Sequence, residues 1–237
     1  MSARRRAVAL ALAAFALAGR ARAETGEVRR HVVLAPDVGI VARPAVSNDA
    51  GISYSPGFAT GAHAQLLAAP WMRVSLYFLQ ARQGVSAPRG AFVPGADTDL
   101  GSIGTYVIGA RLQPTWSPKP RLHLWASVGA GWGKLQASAA QLCPVASCSP
   151  DAPPGYRLDG REGVFVELPL GLGGEFEILA RRLGVGVDVA WAPLTSQGGA
   201  LHAPIQAVDA AGKLVRAAAM PELASSLTAV VSLTLQL

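Results

Sequence analysis

The segment from Gly163 to Leu179, GVFVELPLGLGGEFEIL, constrains the fold more than any other part of the chain. Apolar side chains occupy every second position, with one interruption at Gly174, and three carboxylates lie on the opposite face, at Glu167, Glu175 and Glu177. A period of two residues is typical of a β-strand with two different faces. The segment is much longer than an ordinary soluble strand of about 5–6 residues.

The amino terminus has the pattern of a secretory signal peptide. Arg4–Arg6 precede the short apolar stretch Ala7–Gly19, and Ala21–Ala23 forms a small-residue cleavage site. The apolar stretch is too short for a spanning helix, which argues against the alternative of an N-terminal membrane anchor. We therefore expect residues 1–23 to be removed and residues 24–237 to form the mature domain.

Removal of this signal changes the charge balance. The whole chain carries 21 Lys and Arg against 15 Asp and Glu, and the signal contains five of the arginines and no acid. The mature chain therefore keeps 16 basic residues (21 less five) against 15 acids. A balance near neutrality gives no indication of a nucleic-acid partner.

Alternation recurs in eight segments, most of them long enough for the 9–11 residues that a tilted membrane-crossing strand needs, about twice the usual length of a soluble one. The mature chain has no run of 18 apolar residues, so a helical membrane protein is not expected. The predicted strands are Val32–Ala42, Phe58–Ala68, Met72–Arg82, Ile103–Pro114, Leu122–Leu135, Glu162–Leu179, Leu183–Ala192 and Leu223–Gln236.

The connections between these segments alternate between short and long, which is typical of an up-and-down barrel with turns at one end and loops at the other. The short connections are Ala69–Trp71, Thr115–Arg121 and Ala180–Arg182, and the long ones are Arg43–Gly57, Gln83–Ser102, Gln136–Arg161 and Pro193–Glu222.

The two faces of the strands differ in composition. One is an apolar band, and the other mixes Gly and Ala with charged residues, as suits a narrow interior where eight strands converge. We therefore predict that the apolar face points outward to lipid. A sheet that faces lipid must close into a barrel, because free sheet edges would leave backbone groups unpaired in hydrocarbon. Aromatic residues near both ends of the apolar face predict two interfacial girdles: Phe58, Tyr106, Trp132 and Trp191 at the long-loop end, and Trp71, Trp116 and Phe176 at the short-turn end.

With these features the chain resembles the small eight-stranded outer-membrane β-barrels of Gram-negative bacteria, the OmpA-, OmpX- and OmpW-like group. The resemblance covers about Val32 to Leu237 and rests on architecture rather than on a motif. It implies an all-β, eight-stranded antiparallel up-and-down transmembrane barrel in the outer membrane, with both termini periplasmic. It also implies outer-membrane lipid and the barrel-assembly machinery as partners.

Three positions depart from the pattern of that family. Its members usually end in Phe or Trp, whereas this chain ends in Leu237. Pro169 lies inside the clearest strand and Pro36 inside the first, and each removes a donor from the ladder. We predict a β-bulge at Pro169.

The charged residues of the polar face are the candidate site, because unpaired charges in a narrow interior are costly and should pair. We expect Arg73 and Arg111 to pair with the acids and to form a structural polar network; the alternative is a charged pathway for a small solute. The predicted lumen polar network consists of Arg73, Arg111, Glu167, Glu175, Glu177 and Asp188, with Asp37 and His63 on the same face.

Two further groups of residues invite a chemical interpretation. His123 and Ser127 share the inward face of one strand, but residues four apart on a strand lie about 13 Å apart, beyond the reach of a nucleophile and its base. Cys143 and Cys148 lie in a long loop of an exported chain, which predicts a disulfide, with free thiols as the alternative.

The sequence therefore predicts an integral outer-membrane protein with a structural or surface-interaction role, without enzyme activity, cofactor or metal. Two alternatives remain open. A narrow pore would conduct small solutes through the polar interior. A soluble periplasmic lipocalin-like barrel would turn the apolar face inward around an apolar ligand.

Overall fold

The computed structural model describes residues 32–47, 51–87, 98–137, 161–179, 182–203, 205–208, 214–217 and 220–236. The signal peptide, the two cysteines and Leu237 lie outside these ranges, so the predictions about them stay predictions. The described residues include no helix long and apolar enough to cross a membrane.

Nearly all of the described residues belong to β-strands, as the alternating pattern predicts. The strands are β1 (Val32–Ala42), β2 (Ser53–Tyr54), β3 (Gly57–Ala69), β4 (Met72–Ala87), β5 (Thr98–Lys119), β6 (Leu122–Ala137), β7 (Glu162–Glu167), β8 (Leu170–Leu179), β9 (Leu183–Gly198), β10 (Ile205–Val208), β11 (Leu214–Ala217) and β12 (Ser225–Gln236). A short 3₁₀ helix spans Ala200–His202.

Eight antiparallel strands close into a ring. β7 and β8 are two parts of one wall strand, which lies between β6 and β9. The wall strands follow one another around the ring in sequence order, namely β1, β3, β4, β5, β6, β7–β8, β9 and β12, and β12 pairs with β1 to close it. The closing ladder runs from Val33 opposite Gln236 to Ala42 opposite Leu227. The predicted eight-stranded antiparallel up-and-down barrel is therefore confirmed as the fold.

The strands extend further toward both ends than the alternation indicated. The predicted turn Thr115–Arg121 is wrong in extent, because β5 continues to Lys119 and leaves a turn at Pro120–Arg121. At the other end, β4, β5 and β9 run into segments predicted to be loops, which also hold β2 and the hairpin of β10 and β11. Backbone pairing with neighbouring strands stabilises these extensions. The alternation of apolar residues within one segment does not indicate such pairing.

The predicted bulge at Pro169 is wrong. Leu168 and Pro169 interrupt the strand between β7 and β8, but the register against β6 is the same on both sides, from Gly131 opposite Glu167 to Val128 opposite Leu170. The Pro169 carbonyl accepts a hydrogen bond from the Gly129 N–H at 3.0 Å, and the Leu168 N–H donates to the Pro193 carbonyl at 3.2 Å. The neighbouring bonds keep the ladder in register although the proline lacks a donor.

The wall has an apolar outer face and a buried inner face. Large apolar side chains are exposed on all eight wall strands, for example Ile108 at 61% and Leu172 at 70%. Alternate residues are buried inside the ring, among them Asp37, Arg73 and Glu175. We call the end at which β3 joins β4, β5 joins β6 and β8 joins β9 the short-turn end, and the opposite end the long-loop end.

Candidate functional site

The interior of the ring brings together side chains from strands that are distant in sequence. Because every second residue of a strand points to the same face, each wall strand contributes a column of inward side chains. In the short-turn half of the interior most of these side chains are polar or charged. Their contacts decide what this interior does.

Arg73 on β4 and Glu175 on β8 form a buried ion pair. The guanidinium Nη1 lies 3.0 Å from Glu175 Oε2 and 3.0 Å from Gln65 Oε1. The Thr234 hydroxyl donates to the other Glu175 oxygen at 2.5 Å. Both oxygens of a carboxylate with a fully buried side chain are thus hydrogen-bonded, which is what a buried charge requires.

Arg111 on β5 and Asp188 on β9 form a second pair across the ring. Arg111 Nη1 lies 2.7 Å from Asp188 Oδ1, and the Trp125 indole donates to Asp188 Oδ2 at 3.1 Å. The Arg111 guanidinium also lies 4.3 Å from the centre of the Tyr77 ring, within the range of a cation–π contact. Charge and aromatic surface are thus packed together in the middle of the barrel.

The two remaining predicted acids contact groups other than arginine. Glu167 accepts a hydrogen bond from the Tyr77 hydroxyl at 2.8 Å. Glu177 lies 2.9 Å from His123 Nε2 and accepts from the Gln236 amide at 3.4 Å. The sequence named the acids, but it could not assign the aromatic and histidine partners, because these come from strands far apart in the chain.

A small cavity lies next to these pairs in the middle of the ring. It has a volume of about 30 Å³, and its lining includes Asp37, His63, Arg111 and Asp188. His63 Nδ1 lies 2.9 Å from Asp37 Oδ2, so this histidine also faces a carboxylate. A cavity of this size has room for about two water molecules, which makes it a gap in a filled interior rather than a wide channel.

Inward glycines make room for the large aromatic rings. A Cβ at Gly173 would lie 2.5 Å from atoms of the Trp125 ring, and one at Gly133 would overlap the ring of Phe165. These two glycines of the polar face therefore lie opposite aromatic rings on neighbouring strands. Packing is the reason for these glycines, as expected for close approach inside a strand.

The long-loop half of the interior is mainly apolar, apart from Arg43 and its polar neighbours Gln83 and Thr105, which the charged residues of the polar face did not indicate. Phe165 and Val107 are fully buried, and they join a cluster with residues of the loop ends that lie over the ring. The cluster comprises Ile52, Tyr77, Val85, Ile103, Val107, Leu135, Ala137, Phe165, Leu194, Leu201, Met220 and Leu223.

Arg43 is the residue that sequence reasoning missed. It lies one position beyond β1 and was assigned to a long loop, yet only 1% of it is exposed. Its Nη1 donates to Thr105 Oγ1 at 2.7 Å, and its guanidinium lies 5.7 Å from the Phe165 ring centre. Burial lowers the pKa of Arg43 to about 10, so the side chain is charged at neutral pH. Extending the alternation of β1 by one step, from Val41 to Arg43, would have placed it inside.

His123 contacts Ser117 and not Ser127, the serine that shares its strand. His123 Nδ1 lies 2.7 Å from Ser117 Oγ, and its Nε2 lies 2.9 Å from Glu177, whereas Ser127 Oγ is buried and makes no hydrogen bond within the described ranges. Ser117 faces His123 across the β5–β6 hairpin. We interpret these contacts as hydrogen bonds that satisfy the buried Glu177 carboxylate at the short-turn end of the interior.

In the part of the chain that the structure describes, no group of three or more His, Cys, Asp and Glu could hold a metal ion.

Comparison with known proteins finds similarity only among solved structures. No protein-family model and no curated protein matches the sequence. The chain is similar to Ail, the attachment invasion locus protein of Yersinia pestis, in complex with the heparin analogue sucrose octasulfate, with 10% identity, a TM-score of 0.43 and coverage of 86% of this chain and 97% of that one. A second Ail crystal structure has 12% identity and a TM-score of 0.41, with 86% and 97% coverage. The outer membrane protein Ail in a phospholipid bilayer nanodisc has 13% identity and a TM-score of 0.37, with 86% and 99% coverage. These neighbours are of the class predicted from the sequence, small eight-stranded outer-membrane barrels.

Proposed function

We propose that this chain is an integral outer-membrane β-barrel protein with a structural or surface-interaction role. In this proposal residues 1–23 direct export, and residues 24–237 form one barrel that crosses the outer membrane. The single observation that carries the proposal is the inverted distribution of side chains: apolar residues are exposed around the whole ring, while charged residues are buried inside it. A ring with this arrangement has an outer face suited to hydrocarbon rather than to water.

The exposed aromatic residues support a membrane position. Phe58, Trp132 and Trp191 are 63%, 46% and 48% exposed near the long-loop ends of their strands. Trp116 and Phe176 are 63% and 54% exposed near the short-turn end. Aromatic side chains at two levels on an apolar wall are typical of the two membrane–water interfaces.

The interior network is proposed to have a structural role. Buried Arg–carboxylate pairs link β4 to β8 and β5 to β9 across the ring, so they fix strands that are not neighbours in sequence. The small central cavity and the apolar cluster at the long-loop end leave little space for a solute path. These features favour a filled barrel over the narrow pore.

The lipocalin-like alternative conflicts with the burial pattern. A soluble barrel that binds an apolar ligand needs apolar side chains around its central cavity and polar ones outside. Here the lining of the central cavity includes the charged and ionisable side chains of Asp37, His63, Arg111 and Asp188, and large apolar side chains cover the outside of the ring. We accordingly propose that the long-loop end carries any surface interaction, with a disulfide between Cys143 and Cys148 in its third long connection.

Membrane fractionation followed by gel mobility tests the proposal. We expect the full chain to sediment with outer membranes, to require detergent for release, and to change its mobility on boiling as the closed barrel unfolds. Release as a soluble periplasmic protein would overturn the proposal. Discrete conductance of the purified protein in a planar bilayer would establish the pore instead.

A further inference from the structure

The short-turn end carries two neighbouring hairpins that project together. One joins β5 to β6 through Pro120–Arg121, and the other joins β8, which ends at Leu179, to β9, which begins at Leu183. β6 pairs with β8, and the Glu177 N–H donates to the Arg121 carbonyl at 2.9 Å, so the hairpins lie side by side. Pro118 and Pro120 restrict the backbone of the first hairpin, which holds its tip in one shape.

These hairpins form an exposed basic rim, consisting of Lys119, Arg121 and Arg182. None of the three makes an ion pair with a described residue. Among the described residues, the acids at this end do not balance them, because Glu175 is buried against Arg73 and Glu177 is buried against His123. The rim therefore presents a local positive charge to the surroundings.

The acids with exposed side chains lie elsewhere. Among residues whose side chains are described, Glu162 and Glu222 are the exposed acids, and both lie at the long-loop end. Glu162 is paired with Lys134 there, at 2.6 Å. Among residues whose side chains are described, the exposed acids are thus confined to the long-loop end, although the mature chain is close to neutral as a whole.

Exposed apolar side chains lie directly beside the basic rim on the outer wall. Trp116, Phe176 and Leu179 belong to the same two hairpins and are 63%, 54% and 56% exposed. A ligand that meets both features has an anionic head next to an apolar tail. Basic residues at the edge of an apolar wall attract anionic lipid headgroups, whereas a soluble anion would gain nothing from the apolar neighbours.

We propose that the basic rim binds the phosphate headgroups of anionic glycerophospholipids in the leaflet at the short-turn end. The acyl chains of these lipids lie against the outer wall at Trp116, Phe176 and Leu179. This inference rests on the proposed function, because it requires the ring to be inserted in a bilayer. Beyond the proposed function, the inference names the class of lipid that is bound and the basic residues that select it.

Spin-labelled lipids test the inference with the full chain in phosphatidylcholine vesicles. Electron paramagnetic resonance measures the fraction of label that is immobilised at the protein surface, for labelled phosphatidylglycerol and for labelled phosphatidylcholine. We expect about a threefold preference for phosphatidylglycerol from three basic side chains near the surface, and a weaker preference at high salt. The triple variant K119Q/R121Q/R182Q is expected to bring the ratio to about one.

Two further variants make the result specific to the rim. Arg82→Gln removes an exposed arginine at the long-loop end and is expected to leave the preference unchanged. K119E/R121E/R182E reverses the charge of the rim and is expected to bring the ratio below one. Gel mobility with and without boiling establishes that each variant is folded.

The outcomes separate this inference from the proposed function. Immobilised lipid without a preference for phosphatidylglycerol overturns the inference and leaves the membrane barrel intact. An equal loss of preference in Arg82→Gln and in the triple Gln variant also overturns it. Absence of any immobilised lipid overturns the proposed function, and the inference with it.

Discussion

The two halves of the barrel interior are built from the same alternating strands but hold different side chains. In the short-turn half, Arg73 and Arg111 are paired with Glu175 and Asp188. In the long-loop half, Phe165 and Leu135 are almost completely buried in an apolar cluster. Alternation therefore decides which side chains point inward. The contacts available at each level of the barrel decide whether a polar or an apolar side chain is stable there.

The difference follows from what covers each end. Leu201 and Met220 lie beyond the wall strands, and both are buried against the long-loop half of the interior. Apolar side chains under this cover are removed from water, and each contributes roughly 1.5–3 kcal/mol. At the short-turn end the described turns at Pro70–Trp71 and Pro120–Arg121 are tight, and the interior of this half holds the paired charges of Arg73 with Glu175 and Arg111 with Asp188.

The largest effect is expected from breaking the ion pair of the polar half. Arg73→Met leaves the Glu175 carboxylate buried without its cation and should lower the free energy of unfolding by about 4 kcal/mol. Guanidinium unfolding in vesicles, followed by tryptophan fluorescence, measures this change. R73M/E175Q removes both charges and should recover most of the loss; no recovery would show that the pair is not the cause.

Truncation in the apolar half should have a somewhat smaller effect. Phe165→Ala leaves a cavity beside Gly133, which has no side chain to fill it, and should cost about 3 kcal/mol in the same unfolding measurement. Phe58→Ala, which removes a ring from the outer face, is the control. A larger cost for Phe58→Ala than for Phe165→Ala would contradict the inward position of Phe165.

A smaller loss is expected from adding one methyl group to the polar half. Gly173→Ala places a Cβ 2.5 Å from the Trp125 ring and should cost about 1–3 kcal/mol. The adjacent Gly174→Ala is a matched control, because its nearest neighbour is the end of the flexible Leu124 side chain, at 2.9 Å. Equal stability of the two variants would mean that Trp125 does not pack against Gly173.

The smallest effect is expected outside the interior altogether. Lys134 and Glu162 form an ion pair at 2.6 Å whose side chains are 24% and 46% exposed, and water competes with such a pair. Lys134→Gln should therefore leave the unfolding midpoint in guanidinium unchanged within the error of the measurement. A shift as large as that of Arg73→Met would show that exposure does not distinguish the two pairs.

The wall of the barrel could be predicted from the sequence because a period of two residues is local information. β1 begins and ends at the predicted Val32 and Ala42, and the same pattern sorted outward Ile108 from inward Arg111. The partners inside the ring could not be predicted in the same way. Tyr77 meets Glu167 only because four strands bend into a closed wall, and this proximity has no local signature.

The errors have a common cause. The bulge expected at Pro169 is absent because Gly129 and Pro193 on the two neighbouring strands hold the register. The predicted first strand ends at Ala42 and leaves Arg43 in a loop, yet Thr105 and Phe165 on other strands accommodate Arg43 inside the ring. Pairing and packing across strands override the local pattern at these positions.

The central claim is that the polar face is enclosed and the apolar face meets lipid. Variants that retain one of the five tryptophans, with Phe at the other four positions, test it most directly in vesicles that contain brominated lipid. Trp191 is 48% exposed on the outer wall and Trp125 is 6% exposed inside the ring. We predict strong quenching of Trp191 and little quenching of Trp125. Quenching of Trp125 equal to that of Trp191, or no quenching of either, would contradict the account.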